Sequence, residues 1–140
     1  MTAVVVDASL ALAWCLPDDA SDYADGVLSA LEGKTILVPA VWATEVTNGI
    51  LMAERRKRIQ RSEIQRLSEL LDGLTVVVDV SPVTKYLSTV LPLAREYGLS
   101  AYDAAYLEVA VRHSVPLASL DMDLRRAGRR AGLEIFSMKG

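Results

Sequence analysis

An α/β layer fold, built on a mainly parallel central sheet of four to five strands flanked by helices, is the architecture this sequence predicts. Short β-branched apolar runs alternate with longer segments of helical spacing along the whole chain. Those runs lack the polar alternation of a half-exposed strand, so both of their faces need cover, as in a parallel sheet. The length of 140 residues suits one domain over residues 1–140, since a chain of that size buries about two-thirds of the surface its unfolded form exposes.

Taken in order, residues 3–6 (Ala-Val-Val-Val) form the first apolar strand, and helical spacing follows over 9–16 and 21–31. A second strand is read at 36–38, then helices over 41–57 and 61–71, and a third strand at 75–78. Residues 83–97 are helical in spacing but contain Pro92, which lacks the N–H a helix interior needs, so a kink or split is expected there. A helix over 101–113, a strand over 115–118, a helix over 122–131 and a last strand over 133–136 complete the alternation. Gly33, Gly73, Gly98 and Gly132 each follow a helical stretch, where a left-handed terminal residue costs glycine least. No repeat, low-complexity tract or linker divides the chain.

With 51% hydrophobic and 24% charged residues, the composition is that of a folded domain. No span approaches the roughly 18 uninterrupted apolar residues that cross a bilayer, so no membrane association is expected. The first residues lack a basic segment and meet Asp7 early, which disfavours a signal peptide and leads us to expect a cytoplasmic protein. Cys15 is the single cysteine; it reads as a small buried hydrophobe and suits a reducing compartment. The 15 basic residues against 18 acidic ones give a net charge of -3, which argues against a non-specific nucleic-acid coat protein.

The acids carry the chemistry. Asp7 follows the first strand and Asp121 stands just beyond the fourth, and the carboxyl ends of parallel strands open into the crevice where ligands bind. Glu45 lies in an otherwise apolar helix start with no basic residue within a helical turn, so it needs a partner. Asp103 opens a strongly helical segment. Each also has a structural use: Ser100 with Asp103 resembles a capping box, and Asp121 and Asp7 can cap the helices that follow them. Converging together, they repel one another until protons or a divalent cation relieve the repulsion. Carboxylate and water ligands suit Mg²⁺ or Mn²⁺ and not zinc, for which one His and one Cys are a poor supply.

Four ordered segments then resemble the PIN-domain nucleases, and within them the small VapC-type toxins of toxin–antitoxin pairs. They are Val5-Val6-Asp7-Ala8-Ser9; Val38-Pro39-Ala40-Val41-Trp42-Ala43-Thr44-Glu45-Val46; Gly98-Leu99-Ser100-Ala101-Tyr102-Asp103-Ala104-Ala105-Tyr106-Leu107; and Pro116-Leu117-Ala118-Ser119-Leu120-Asp121-Met122-Asp123-Leu124. The resemblance implies a PIN-like fold in which Asp7, Glu45, Asp103 and Asp121 are catalytic. Asp7, Asp103 and Asp121 would bind Mg²⁺ or Mn²⁺, with Ser9, Ser119 and Asp123 as auxiliaries. It further implies an endoribonuclease that inhibits translation, a homodimer, and a cognate VapB-type antitoxin. The expected chemistry is metal-assisted hydrolysis of an RNA phosphodiester, with Glu45 positioning the attacking water. The lone His113 excludes a two-histidine, metal-free ribonuclease mechanism within one chain.

Arg125, Arg126, Arg129 and Arg130 form a basic face beside the expected site and are candidates for RNA contact; Arg55, Arg56, Lys57, Arg58 and Arg61 suit RNA contact or solvated surface equally. Trp14, Trp42, Tyr102 and Tyr106 fall in apolar helical patterns and are expected to pack in the core or an interface. A groove between the early helices and the 41–57 helix would suit an amphipathic antitoxin helix. The main alternative from another class is a phosphoacceptor receiver-like signalling domain. It calls for an early acidic pair and a late strand-end Lys, whereas Asp7 stands alone and no Lys lies near residues 115–121. Within the family, the alternative is a non-toxin RNA-processing nuclease. Setting Asp7, Glu45, Asp103, Asp121 and Asp123 aside leaves 13 of the 18 acids against 15 basic residues, a balance of +2. The net charge thus admits a nucleic-acid enzyme once cations offset the site.

Overall fold

The structure, a computed structural model, describes residues 2–137. Its centre is a four-stranded, wholly parallel sheet: β1 (Ala3–Val6), β2 (Thr35–Pro39), β3 (Val76–Asp79) and β4 (Leu117–Ala118), in the order β3-β2-β1-β4. Val4, Val5 and Val6 are each 0% exposed; because successive side chains point to opposite faces, both faces of β1 are covered. The β-branched runs form strands for that reason.

The helices are α1 (Ala8–Cys15), α2 (Asp22–Ala30), α3 (Val41–Arg55), α4 (Ile64–Asp72), α5 (Val83–Lys85), α6 (Leu91–Tyr97), α7 (Ala101–His113) and α8 (Met122–Arg130). α1, α2, α7 and α8 start at side-chain caps, Asp7, Ser21, Ser100 and Asp121, whose oxygens accept early backbone N–H groups. α3 stops two residues short of the expected 57: Lys57 turns left-handed (φ 61°) and Arg58 N bonds back to Ala53 O at 2.9 Å. The expected 61–71 helix begins as a 3₁₀ turn, Arg61–Glu63, before α4. Between α5 and α6, Tyr86–Val90 form a π-helical turn immediately ahead of Pro92, which is how the helical run accommodates the proline.

The expected fifth strand, 133–136, does not form. β4 offers only two residues for pairing, and the segment makes one bridge, Leu117 with Ile135, through Leu117 N to Glu134 O (3.0 Å) and Phe136 N to Leu117 O (2.8 Å). β4 itself is shorter than the expected 115–118 because Pro116 has no N–H to donate. Gly98 and Gly132 end their helices left-handed as expected, whereas Gly73 caps α4 in right-handed geometry (φ -72°).

The core joins the sheet to α1, α2, α3, α7 and α8, with Trp14, Trp42, Tyr106 and Leu107 buried in it. Trp14 Nε1 donates to Ala24 O at 2.8 Å, and Cys15 is a free, buried thiol. Tyr102 lies outside the core and is 61% exposed, which leaves an interface as its expected packing. At the seam between α1 and α3 a Cβ on Gly49 would come within 2.5 Å of Leu12, so the two helices pack directly on each other at that point. One ionic lock ties the end of α7 to the edge strand. Arg112 bonds Asp79 at 2.7 and 2.9 Å and Glu108 at 2.8 and 2.9 Å. That arginine holds the Asp79 carboxyl well below the usual carboxylate range. Among the described residues no helix is long and apolar enough to cross a membrane.

Candidate active site

The parallel pairing of Val6 with Ala118 brings the carboxyl ends of β1 and β4 side by side, so the residues just beyond them meet. Asp7, 4% exposed, caps α1, and three donors hold its carboxylate. Ser9 Oγ donates to Oδ1 at 2.6 Å, Leu10 N to Oδ1 at 3.3 Å, and Ser119 Oγ to Oδ2 at 2.5 Å. The two serines are pinned in turn: Leu120 N donates to Ser9 Oγ (3.1 Å) and Asp121 N to Ser119 Oγ (2.9 Å). Asp121 Oδ1 then caps α8, accepting from Asp123 N and Leu124 N at 2.9 and 3.1 Å. A continuous relay therefore fixes Asp7 and Asp121 in one frame across 114 positions of sequence, from Asp7 to Asp121.

Asp103 enters from the first turn of α7, where Ser100 Oγ accepts its N–H at 3.1 Å. Glu45 enters from α3 and receives the Tyr106 hydroxyl at 2.5 Å. This is the partner that a carboxylate on a packed helix needs, supplied from 61 positions away. Tyr106 is 1% exposed, and burial followed by the Glu45 carboxylate pushes its phenol far above the ordinary range; Asp7 and Asp103 act on it in the same sense.

Electrostatics shows the same convergence. Burial raises the Asp7 carboxyl to about 6 despite its three donors, and the charge of Asp121 adds to the rise. Asp103 is raised by burial, then by Asp121, Glu45 and Asp123. The structure thus brings Asp7, Glu45, Asp103 and Asp121 together, with Ser9 and Ser119 as the groups that hold Asp7. Asp123 lies at the rim, its side chain 79% exposed and paired with Arg126 at 3.0 Å.

The four arginines of α8 part company. Arg125 turns inward, its guanidinium 4.7 Å from the Tyr23 ring centroid and its Nε buried without a partner. Arg126 pairs with Asp123, Arg130 lies 5.4 Å over the Tyr97 ring, and Arg129 is exposed. In the other basic cluster, Arg58 is spent on Asp18 and Asp19 (3.4 and 2.9 Å). The sequence contains no local sign of Tyr106 as the partner of Glu45, since its apolar helical setting marks it only as core. Nor does it mark Arg112, although two acids at suitable positions, Glu108 at i−4 and Asp79 on an adjoining strand, lock it in place.

Among the described residues no three acids, histidines or cysteines already close into a cage around an ion. The donor set nevertheless fits a hard cation: Mg²⁺ commonly takes only one or two protein carboxylates and keeps several waters. Burial, with the neighbouring carboxylates adding to it, raises Asp7 and Asp103, and a bound cation offsets both penalties; three carboxylates offer only oxygen donors.

Comparison with known proteins identifies the fold and the family. The chain matches the PIN domain family over residues 4–130. Ribonuclease VapC3 of Pyrobaculum aerophilum is 29% identical over 121 residues, covering 86% of this chain and 91% of that protein. The crystal structure of PAE2754 from Pyrobaculum aerophilum superposes with a TM-score of 0.67 at 25% identity, covering 90% of this chain and 79% of the other. FitAcB from Neisseria gonorrhoeae shares the fold, with a TM-score of 0.62 at 17% identity over 96% of this chain and 97% of its own.

Proposed function

The chain belongs to the PIN domain family, and from that premise we propose that it is a Mg²⁺- or Mn²⁺-dependent endoribonuclease, the toxin of a VapBC-type toxin–antitoxin pair. The observation that carries the reading is the meeting of Asp7, Asp103, Asp121 and Glu45 at the carboxyl ends of β1 and β4, where burial and then the neighbouring carboxylates raise Asp7 and Asp103. The likeness to Ribonuclease VapC3 supports RNA as the substrate.

Asp7, Asp103 and Asp121 would hold the cation. When bound, it neutralises charge on the phosphodiester and lowers the pKa of a water. The chain's own residues do the rest. Ser9 and Ser119 keep both Asp7 oxygens aimed, so the carboxylate does not rotate when substrate arrives. Glu45 gives one oxygen to Tyr106 and uses the other to orient a water and take its proton. The water oxygen forms a bond to phosphorus as the bond to the 3′ oxygen breaks. The 3′ oxygen takes a proton from solvent, and Glu45 later returns its own to solvent, leaving a 5′-phosphate and a 3′-hydroxyl.

The VapBC reading adds a homodimer, an antitoxin that covers the site, and inhibition of translation as the outcome. Co-purification with the neighbouring gene product tests the antitoxin. Induced expression followed by sequencing of RNA ends tests the toxin: growth arrest with new 5′-phosphate ends, absent from an Asp7→Asn control, is expected. New ends without growth arrest would point to an RNA-processing nuclease instead.

A further inference from the structure

The geometry points to a subsite for a neighbouring RNA phosphate, built by Arg126, Arg130 and Tyr97 beside the acidic cluster; the inference rests on the nuclease reading above. A cavity of about 240 Å³ opens between the end of α6 and α8, with Tyr97, Gly98, Asp123, Arg126 and Arg130 on its walls. Gly98 ends α6 left-handed (φ 63°), and the chain then turns directly into α7, which carries Asp103 in its first turn. The cavity therefore adjoins the site, and Asp123 on its wall is close enough to raise the Asp103 carboxyl.

Two features give the cavity its chemistry. Arg126 and Arg130 are four residues apart on one helix, so both guanidiniums project from the same face. Tyr97 supports the second: the Arg130 guanidinium lies 5.4 Å over its ring, an arrangement that orients a cation without neutralising it. The partner of Arg126 is Asp123 at 3.0 Å, an exposed pair that contributes little and is exchanged readily for another anion. A volume of about 240 Å³ falls below the roughly 300–1,000 Å³ of sites that enclose a small molecule. The space admits a phosphate and its ester oxygens, and the two guanidiniums favour that group for its charge. Arg126 and Arg130 would thus hold the phosphate next to the scissile one and register the strand over the acids, and Tyr97 is a positioning residue for Arg130. Arg125, turned inward over Tyr23, takes no part.

The test uses the full chain, a fluorescein-labelled single-stranded RNA oligonucleotide, and bis(p-nitrophenyl) phosphate, a diester with no neighbouring phosphate. Arg126→Gln and Arg130→Gln should each cut RNA cleavage about tenfold and leave hydrolysis of the small diester within about twofold. The slope of log affinity against log salt should fall by about 0.7 per arginine removed. Tyr97→Leu should reproduce part of the Arg130→Gln loss and Tyr97→Phe should restore it. Arg66→Gln, removing an exposed arginine on α4, should change nothing. Unchanged RNA cleavage and salt slope in the α8 variants, or an equal loss in Arg66→Gln, overturns the subsite while leaving the nuclease standing. A wild-type chain that cleaves neither substrate overturns the nuclease reading itself.

Discussion

Ser119→Ala removes the hydroxyl that links the two halves of the site. Ser119 is 0% exposed, donates to Asp7 Oδ2 at 2.5 Å and accepts from Asp121 N at 2.9 Å, so one substitution strips two buried groups of a partner. A hydrogen bond to a carboxylate contributes about 1.5–3 kcal/mol, and the stranded N–H costs about 1 kcal/mol more. The first loss has a ceiling. Wild-type Asp7 titrates at about 6, so at pH 7 its neutral form lies only about 1.4 kcal/mol above the ionised one, and the variant escapes by taking up a proton. Allowing about 0.5 kcal/mol for the donor the neutral acid also loses, the total is about 3 kcal/mol at pH 7 and about 1.5 kcal/mol at pH 5, where wild-type Asp7 is already largely protonated. With an unfolding entropy of about 0.3 kcal/mol/K for 140 residues, Tm in metal-free buffer should drop by about 10 °C at pH 7 and about 5 °C at pH 5. Thermal unfolding followed by circular dichroism measures both. A drop under about 3 °C at pH 7, or the same drop at both pH values, would refute the relay.

Metal-free wild-type protein should lose about 2 kcal/mol of stability as pH rises from about 4 to about 6, because the raised Asp7 pKa of about 6 makes the folded state bind the proton more tightly than the unfolded one; flat urea midpoints across that window contradict it. Mg²⁺ or Mn²⁺ at about 100 times its dissociation constant should raise Tm by about 9 °C at pH 7, and Asp7→Asn should abolish that gain, as differential scanning calorimetry would report. Tyr106→Phe strands the Glu45 carboxylate and should cost about 1–3 kcal/mol with about a tenfold loss of RNA cleavage; full activity would remove Glu45 from the mechanism. Arg112→Met leaves the Glu108 side chain, 9% exposed, without its cation and Asp79, 12% exposed, with only the His113 ring at 3.0 Å, and should cost about 2–4 kcal/mol at pH 7. Arg112 depresses the Asp79 pKa, so this stabilisation is present above the ordinary carboxylate pKa and lost as pH falls through the depressed one; the gap between variant and wild type should narrow in acid.

What the sequence disclosed were features with a local signature. Val4, Val5 and Val6 announce a strand covered on both faces, Ser100 and Asp121 announce helix starts, and Asp7 declares itself by following a strand. Asp7 and Asp121 were legible as neighbours because the carboxyl ends of strands open into one crevice in a parallel sheet, whereas Glu45 and Asp103 joined them through the likeness of four segments to the PIN-domain nucleases. What stayed hidden depends on pairs far apart in the chain. Glu45 finds Tyr106 across 61 positions and Ser119 finds Asp7 across 112, and nothing local distinguishes such a tyrosine from ordinary core. The arginines of α8 were legible as a basic face but not as individuals, because Tyr23 and Tyr97, which sort them, come from other helices. Residues 133–136 carry strand-like composition but meet only a two-residue neighbour, and a ladder cannot outgrow its partner. Gly73 shows that a glycine after a helix permits a left-handed end without imposing one.

The most direct test of the central claim is cleavage of single-stranded RNA by purified protein, with Mg²⁺ or Mn²⁺ and then with EDTA, beside Asp7→Asn and Asp103→Asn. Cleavage with the ion that leaves 5′-phosphate ends, stops in EDTA and falls at least about a hundredfold in both variants is the predicted result; in energy that is about 2.7 kcal/mol of lost transition-state stabilisation. Wild-type rates in either variant, or undiminished cleavage in EDTA, would contradict it.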